Sequence, residues 1–239
     1  MIPDIYMHRF EFHQMFSKGN ILDVGCANGA GWRWPRIAES VTHPFNITTI
    51  TFVDCDEWQI PNDCNFIRAF AEDIPVEDNS FDTVVLGDIL EHVKDPNIVL
   101  QEAKRITKDR IVITVPNEWK WEQDNPNIKA FETREKHLRD GKDLEVLGYD
   151  STIRHPCGDC MDALNDVEFE HIHHTRFYNE ETFEELIREN SEGMNYHLYN
   201  INYNQLNFVN LAAIMWFDNE DNTIDYDNIM KDRIDIRTK

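Results

Sequence analysis

Three groups of residues in this chain could do chemistry. The first is Asp88, Glu91 and His92, which spell D-x-x-E-H directly after the apolar run Phe81 to Leu86. Spacings of three and four would set these side chains on one face of a helical turn. Farther along, His171, His173 and His174 lie in EHIHHTRF. Asp88, Glu91, His92 and His174 together offer two carboxylates and two imidazoles. Such a set could hold Mg²⁺, Mn²⁺ or Zn²⁺. Without a metal, His92 or His174 could instead take a proton from an attacking hydroxyl. The second group is HPCGDC, where Cys157, Cys160 and His155 offer three zinc ligands, with His171 or His173 as a fourth. A single C-x-x-C is a weak signal, and free thiols in a turn around Gly158 suit it better. The third group is ILDVGCANG, residues 21–29. A strand that stops at Gly25 and Gly29 lets backbone come close to a ligand, because Gly tolerates positive φ and has no Cβ. Asp23 points a carboxylate towards that loop. Asp54, at the end of ITTITFV, could accept both hydroxyl hydrogens of a ribose. No lysine followed by Ser or Thr comes after Gly29, so nucleoside triphosphate binding is disfavoured.

These residues need elements to position them. The spacing of Ile5, Phe12, Met15 and Phe16 predicts a helix over 4–17, ended by Lys18-Gly19-Asn20. Strands are expected at 20–24, 47–53, 65–70, 81–86 and 110–115. A helix over 96–106 carries Val99, Leu100, Ala103 and Ile106, and an amphipathic helix over 180–190 follows an Asn179 cap. Two last strands fall at 195–201 and 208–217, while Pro35 leaves 30–47 ambiguous. Apolar strands alternating with helices imply a parallel, doubly wound sheet. Residues 117–170 break the alternation and read as an insertion. Trp119 and Trp121, with Trp32, could line a cavity for a flat or sugar-like acceptor, or pack in a core.

Charge narrows the partners. The chain has 239 residues with 45 acids against 23 bases, a net charge of −22. That field repels polyanions, so nucleic acid and anionic membranes are disfavoured. The basic residues of 129–142 are interleaved with acids and read as a solvated helix face. No apolar run of about 18 residues predicts a membrane span. The start, MIPDIYMHRFEF, lacks a basic-then-apolar signal. Five scattered cysteines argue against a disulfide framework, and a cytoplasmic, reducing setting is expected. Oligomeric state is not legible.

In combination these segments resemble the class I S-adenosylmethionine-dependent methyltransferases, in the broad branch that carries small-molecule enzymes. ILDVGCANG resembles the glycine-rich first motif and FVDCDE the ribose-binding second. AEDIPVEDNSFDTVVLGDILEHVKDPNIVLQEAKRI looks like the third and fourth strands and the following helix. RIVITVPN resembles strand five, and HTRFYNEETFEELIREN the approach to the last helix. The resemblance implies an α/β, Rossmann-like sheet of seven mostly parallel strands, the last antiparallel, with helices on both faces and a lid inserted after strand five. The chain is then one domain: a core of 19–116 and 171–217, a lid at 117–170 and an acidic tail at 218–239. S-adenosylmethionine is the implied cofactor. Asp23, Gly25, Cys26 and Gly29 would hold its methionine end and Asp54 the ribose. Backbone at Ala71 and Glu72 would meet the adenine, and Gly87 and Asp88 would lie near the sulfonium. Phe70 stands where an acid often holds the adenine amino group. The expected function is methylation of a small hydroxylated acceptor, such as a sugar, at oxygen. Two alternatives remain: a metal-assisted small-RNA 2′-O-methyltransferase, which D-x-x-E-H resembles, and a non-catalytic module that keeps the cofactor fold.

Overall fold

The computed structural model describes residues 2–27, 29–32, 46–56, 64–117, 176, 178–203 and 208–218. Its elements are β1 (Asp4–Tyr6), α1 (Arg9–Phe16), β2 (Gly19–Val24), a 3₁₀ turn (Ala30–Trp32), β3 (Ile47–Asp54), β4 (Asn65–Arg68) and β5 (Phe81–Gly87). Then come α2 (Pro96–Ile106), β6 (Thr107–Pro116), α3 (Glu180–Asn190), β7 (Asn195–Tyr203) and β8 (Phe208–Trp216). One sheet takes them in the order β1-β7-β8-β6-β5-β2-β3-β4. Strands β2 to β6 are mutually parallel, and β8 runs antiparallel to both β6 and β7. This is the expected seven-stranded arrangement with an eighth strand, β1, added beside β7.

That edge strand corrects the expected helix over 4–17. Asp4–Tyr6 pair in parallel with Asn200–Asn202, and the Asn200 N–H donates to Pro3 O at 2.8 Å. Ile5 is thereby buried against Tyr199 and Ile201, and the helix is left with eight residues. The His8 Nδ1 atom accepts the Phe10 N–H at the head of α1. At its foot the buried Arg110, paired with Asp109 at 2.6 Å, donates to Phe16 O.

Alternate residues of the central strands feed two cores, as the two-residue period of a strand requires. Leu22, Val84, Leu86, Ile111 and Ile113 face α2 and α3, which bring Val99, Leu100, Phe183 and Ile187. Ile21, Val85, Val112 and Ile214 face α1, which brings Phe12, Met15 and Phe16. Both long helices start on side-chain caps. Asp95 accepts the Asn97 N–H ahead of Pro96, and Asn179 and Thr182 form a reciprocal capping box. β2 is flanked by β3 on one side and β5 on the other. The chain leaves it in opposite directions, so the crevice of a doubly wound sheet opens at its carboxyl end. Among the described residues no helix is long and apolar enough to cross a membrane. The expected lid beyond Asn117 and the tail beyond Asp218 lie outside the described residues, as do Trp119, Trp121 and the helix expected near 129–139.

Candidate functional site

The carboxyl ends of β2, β3, β4 and β5 gather most of the residues singled out above. The loop after β2 turns through positive φ at Gly25 (72°), Ala27 (45°) and Gly29 (70°). A Cβ on Gly25 would fall 2.5 Å from Ile89 Cδ1, so glycine is needed for both shape and space. The loop is held from β3. The Gly25 and Cys26 N–H groups both donate to Val53 O, at 2.8 and 3.2 Å. The Ala27 N–H donates to Asp54 Oδ2 at 3.0 Å, and Asp54 Oδ1 accepts the Asp56 N–H at 3.0 Å. Asp54 therefore ties the two strand ends together, while a carboxylate still has lone pairs for further donors. The Cys26 side chain is buried, and burial pushes its thiol well up.

Asp23 is buried at the end of β2, 8% exposed. Its Oδ2 accepts the Trp32 indole N–H at 3.0 Å. Burial raises its pKa from 3.8 to about 7, the Trp32 hydrogen bond acts against that rise, and the Asp54 charge adds to it. Across the loop, β4 is joined to β3 where the Ala69 N–H donates to Asp54 O at 3.0 Å. Phe70 follows, 60% exposed, and then the buried Ala71 and half-buried Glu72.

At the end of β5 the expected grouping of Asp88, Glu91 and His92 does not form. Asp88 has φ 53°, which breaks the helical turn that the spacing argument assumed. Its carboxylate turns to three other elements. Oδ2 pairs with Arg9 Nε of α1 at 2.8 Å. Oδ1 accepts from Thr114 Oγ1 of β6 at 2.9 Å and from Asn210 Nδ2 of β8 at 3.1 Å. Thr114 has one hydroxyl proton and gives it to Asp88, so His13 Nε2, 2.9 Å away, donates to Thr114 Oγ1. Burial lowers His13 to about 4, and it stays neutral. Its ring lies so close to Gly87 that a Cβ there would meet His13 Cε1 at 2.6 Å. Arg9 and His13 were invisible as site residues in the sequence. The buried Glu91 has His92 Nε2 at 3.9 Å. Among the described residues only Asp54, Cys55 and Asp56 bring three potential ligand atoms within 4.8 Å of one another. His174, Cys157 and Cys160 lie outside the described residues, with His155, His171 and His173. An open cleft of about 740 Å³ lies at the opposite end of the strands, by Asn20, Ser80 and Phe81, and no site residue lines it.

A family described as a methyltransferase domain matches residues 22–113, the span from β2 to β6 that carries this site. Those residues carry a methyltransferase domain. Solved methyltransferases share its fold. An S-adenosylmethionine-dependent methyltransferase from Methanosarcina mazei superposes with a TM-score of 0.51 at 16% identity, covering 86% of this chain and 95% of its own. The plantazolicin methyltransferase, solved with S-adenosylhomocysteine and a triazolic desmethylPZN analogue, reaches 0.50 at 13% identity, covering 87% of this chain and 83% of its own. No curated protein matches the chain in sequence. In this domain the glycine loop, Asp23 and Asp54 occupy the switch point of the sheet, and Asp88 serves as a tie between strands and α1.

Proposed function

We propose that this enzyme transfers the methyl group of S-adenosylmethionine to a hydroxyl oxygen of a small acceptor, such as a sugar or another hydroxylated metabolite. The observation that carries the donor assignment is the convergence of Asp23, Gly25, Gly29 and Asp54 on one crevice. Asp23 is buried, and one of its oxygens accepts nothing from the described residues, which suits an ammonium group. Asp54 has capacity left for ribose hydroxyls. Cys26 lends backbone to the loop, Ala71 and Glu72 border the base, and Gly87 and Asp88 border the sulfur. Bound there, S-adenosylmethionine supplies a methyl group activated by the sulfonium.

The chain itself has to align the acceptor oxygen and keep water out. An oxygen nucleophile must lose its proton, so a base is needed. We assign that task to His92, beside Glu91, with His174 as the second candidate. A metal-assisted route through Asp88, Glu91, His92 and His174 fits less well, because Asp88 already serves Arg9, Thr114 and Asn210. The charge of −22 favours a small acceptor over RNA. Residues 117–170 would cover the acceptor. We also propose a reducing, cytoplasmic setting, which the five scattered cysteines of the sequence support.

The test is production of S-adenosylhomocysteine from S-adenosylmethionine across a panel of sugars and hydroxylated metabolites. Turnover should require such an acceptor and fall about 100-fold or more in His92→Ala. Turnover with RNA alone would overturn the acceptor assignment, and wild-type rates in His92→Ala would overturn the base.

A further inference from the structure

We infer that Trp32 is a positioning residue for the cofactor: its indole N–H holds the Asp23 carboxylate in place, as an anion, for the ammonium end of the donor. This rests on the donor assignment above. The sequence alone offered Trp32 as a cavity wall or a core residue. The structure gives it a polar partner and fixes it from several sides. Its Nε1 lies 3.0 Å from Asp23 Oδ2. The Trp32 N–H closes the turn on Gly29 O at 3.2 Å, and Gln14 of α1 donates to Gly31 O at 2.8 Å. Gly31 lies against the Phe10 ring, where a Cβ would be 3.1 Å from Phe10 Cδ1. The indole packs against the core cluster under α1. Two elements, α1 and the 3₁₀ turn, thus aim one donor at one buried carboxylate.

That donor matters because the surroundings of Asp23 oppose its charge. Burial and the Asp54 carboxylate both favour the neutral acid, and the Trp32 hydrogen bond is the one contribution that favours the anion. The other titratable group facing Asp23 is the Cys26 thiol, itself pushed up by burial and uncharged. Arg9, His8 and His13 of α1 act on Asp88 and on each other at the end of β5. A neutral Asp23 is a poor partner for an ammonium ion. Cofactor binding should therefore strengthen as pH rises through about 7, and loss of the indole donor should move that midpoint higher.

The experiment measures S-adenosylhomocysteine affinity by calorimetry from pH 6 to 8, for the full chain and for Trp32→Phe. A hydrogen bond to a charged group is strong enough that its loss should raise the pH midpoint by about one unit, and so weaken binding about tenfold at pH 6, about fivefold at pH 7 and about twofold at pH 8. A binding loss that is the same at every pH, or no loss, overturns the inference. In the wild-type protein the Trp32 indole ¹⁵N–¹H resonance should titrate with a midpoint near 7. An indole resonance that does not move between pH 5 and 8 overturns it too, whether or not the variant folds. Failure of the wild type to bind S-adenosylhomocysteine at all would instead overturn the donor assignment.

Discussion

Replacing Asp23 with Asn should stabilise the empty protein while destroying its cofactor site. The carboxyl group moves from 3.8 in the unfolded chain to about 7 in the fold, chiefly through burial. Between those values the folded chain keeps a proton that the unfolded chain has released. Stability therefore falls as pH rises through this window. Each unit corresponds to about 1.4 kcal/mol, so the wild type loses at most roughly 4 kcal/mol by pH 8. The Asn amide escapes that penalty but brings a buried NH₂ that can cost about 1–3 kcal/mol if left unmatched. The expected net gain is about 1–3 kcal/mol at pH 8, vanishing or reversing near pH 4.5. Urea unfolding of both proteins without cofactor, at intervals from pH 4.5 to 8, reads it directly. The comparison cancels the repulsion from the net charge of −22, which both proteins share to within one unit. A stability difference that stays flat with pH would mean that the fold does not raise the Asp23 carboxyl group, since only a raised group gives the slope. The same variant should bind S-adenosylhomocysteine at least about tenfold more weakly at pH 8, the trade between stability and function expected of a buried binding acid.

Gly25→Ala forces a side chain to φ 72° with its Cβ 2.5 Å from Ile89; thermal unfolding should reveal a loss of about 1–3 kcal/mol, and an unchanged midpoint would contradict the loop geometry. Arg9→Ala removes an ion pair whose arginine side chain is 32% exposed. Asp88 keeps Thr114 and Asn210, so the cost by urea titration should stay below about 1 kcal/mol, and a much larger loss would mean that the pair anchors α1. Burial pushes the Cys26 thiol up. Iodoacetamide at pH 8 should therefore reach the half-buried Cys64 before Cys26, read by peptide mass mapping; the reverse order would count against the packing of the loop.

Much of the frame could be read from local pattern. Residues 81–86 and 110–115 are continuous apolar runs, and runs of that kind in alternation with helices have few folded solutions. The Asn179 cap is local too, since it bonds its own first helical turn. The glycine loop was legible because Gly25 and Gly29 answer a backbone need that other residues meet poorly. What escaped was set at long range. Three residues, Asp4–Tyr6, carry no period, and their state is decided by β7, almost the whole chain away. The position of Asp88 was clear but its direction was not. Its partners Arg9, Thr114 and Asn210 come from three elements, and the positive φ that turns it towards them has no signature in D-x-x-E-H. His13 was read only as part of a helix, because Thr114, its partner, stands 101 residues on. Trp32 lies only nine residues from Asp23, yet their bond depends on a turn that Gln14 of α1 pins.

On the donor assignment proposed above, the crevice formed by Asp23, Gly25, Gly29 and Asp54 seats S-adenosylmethionine. Calorimetric titration of the full chain with S-adenosylhomocysteine at pH 8 tests it most directly. One site per chain with micromolar affinity is expected, lost in Asp23→Asn. Absence of heat and of competition at millimolar ligand, with the protein folded, would contradict it.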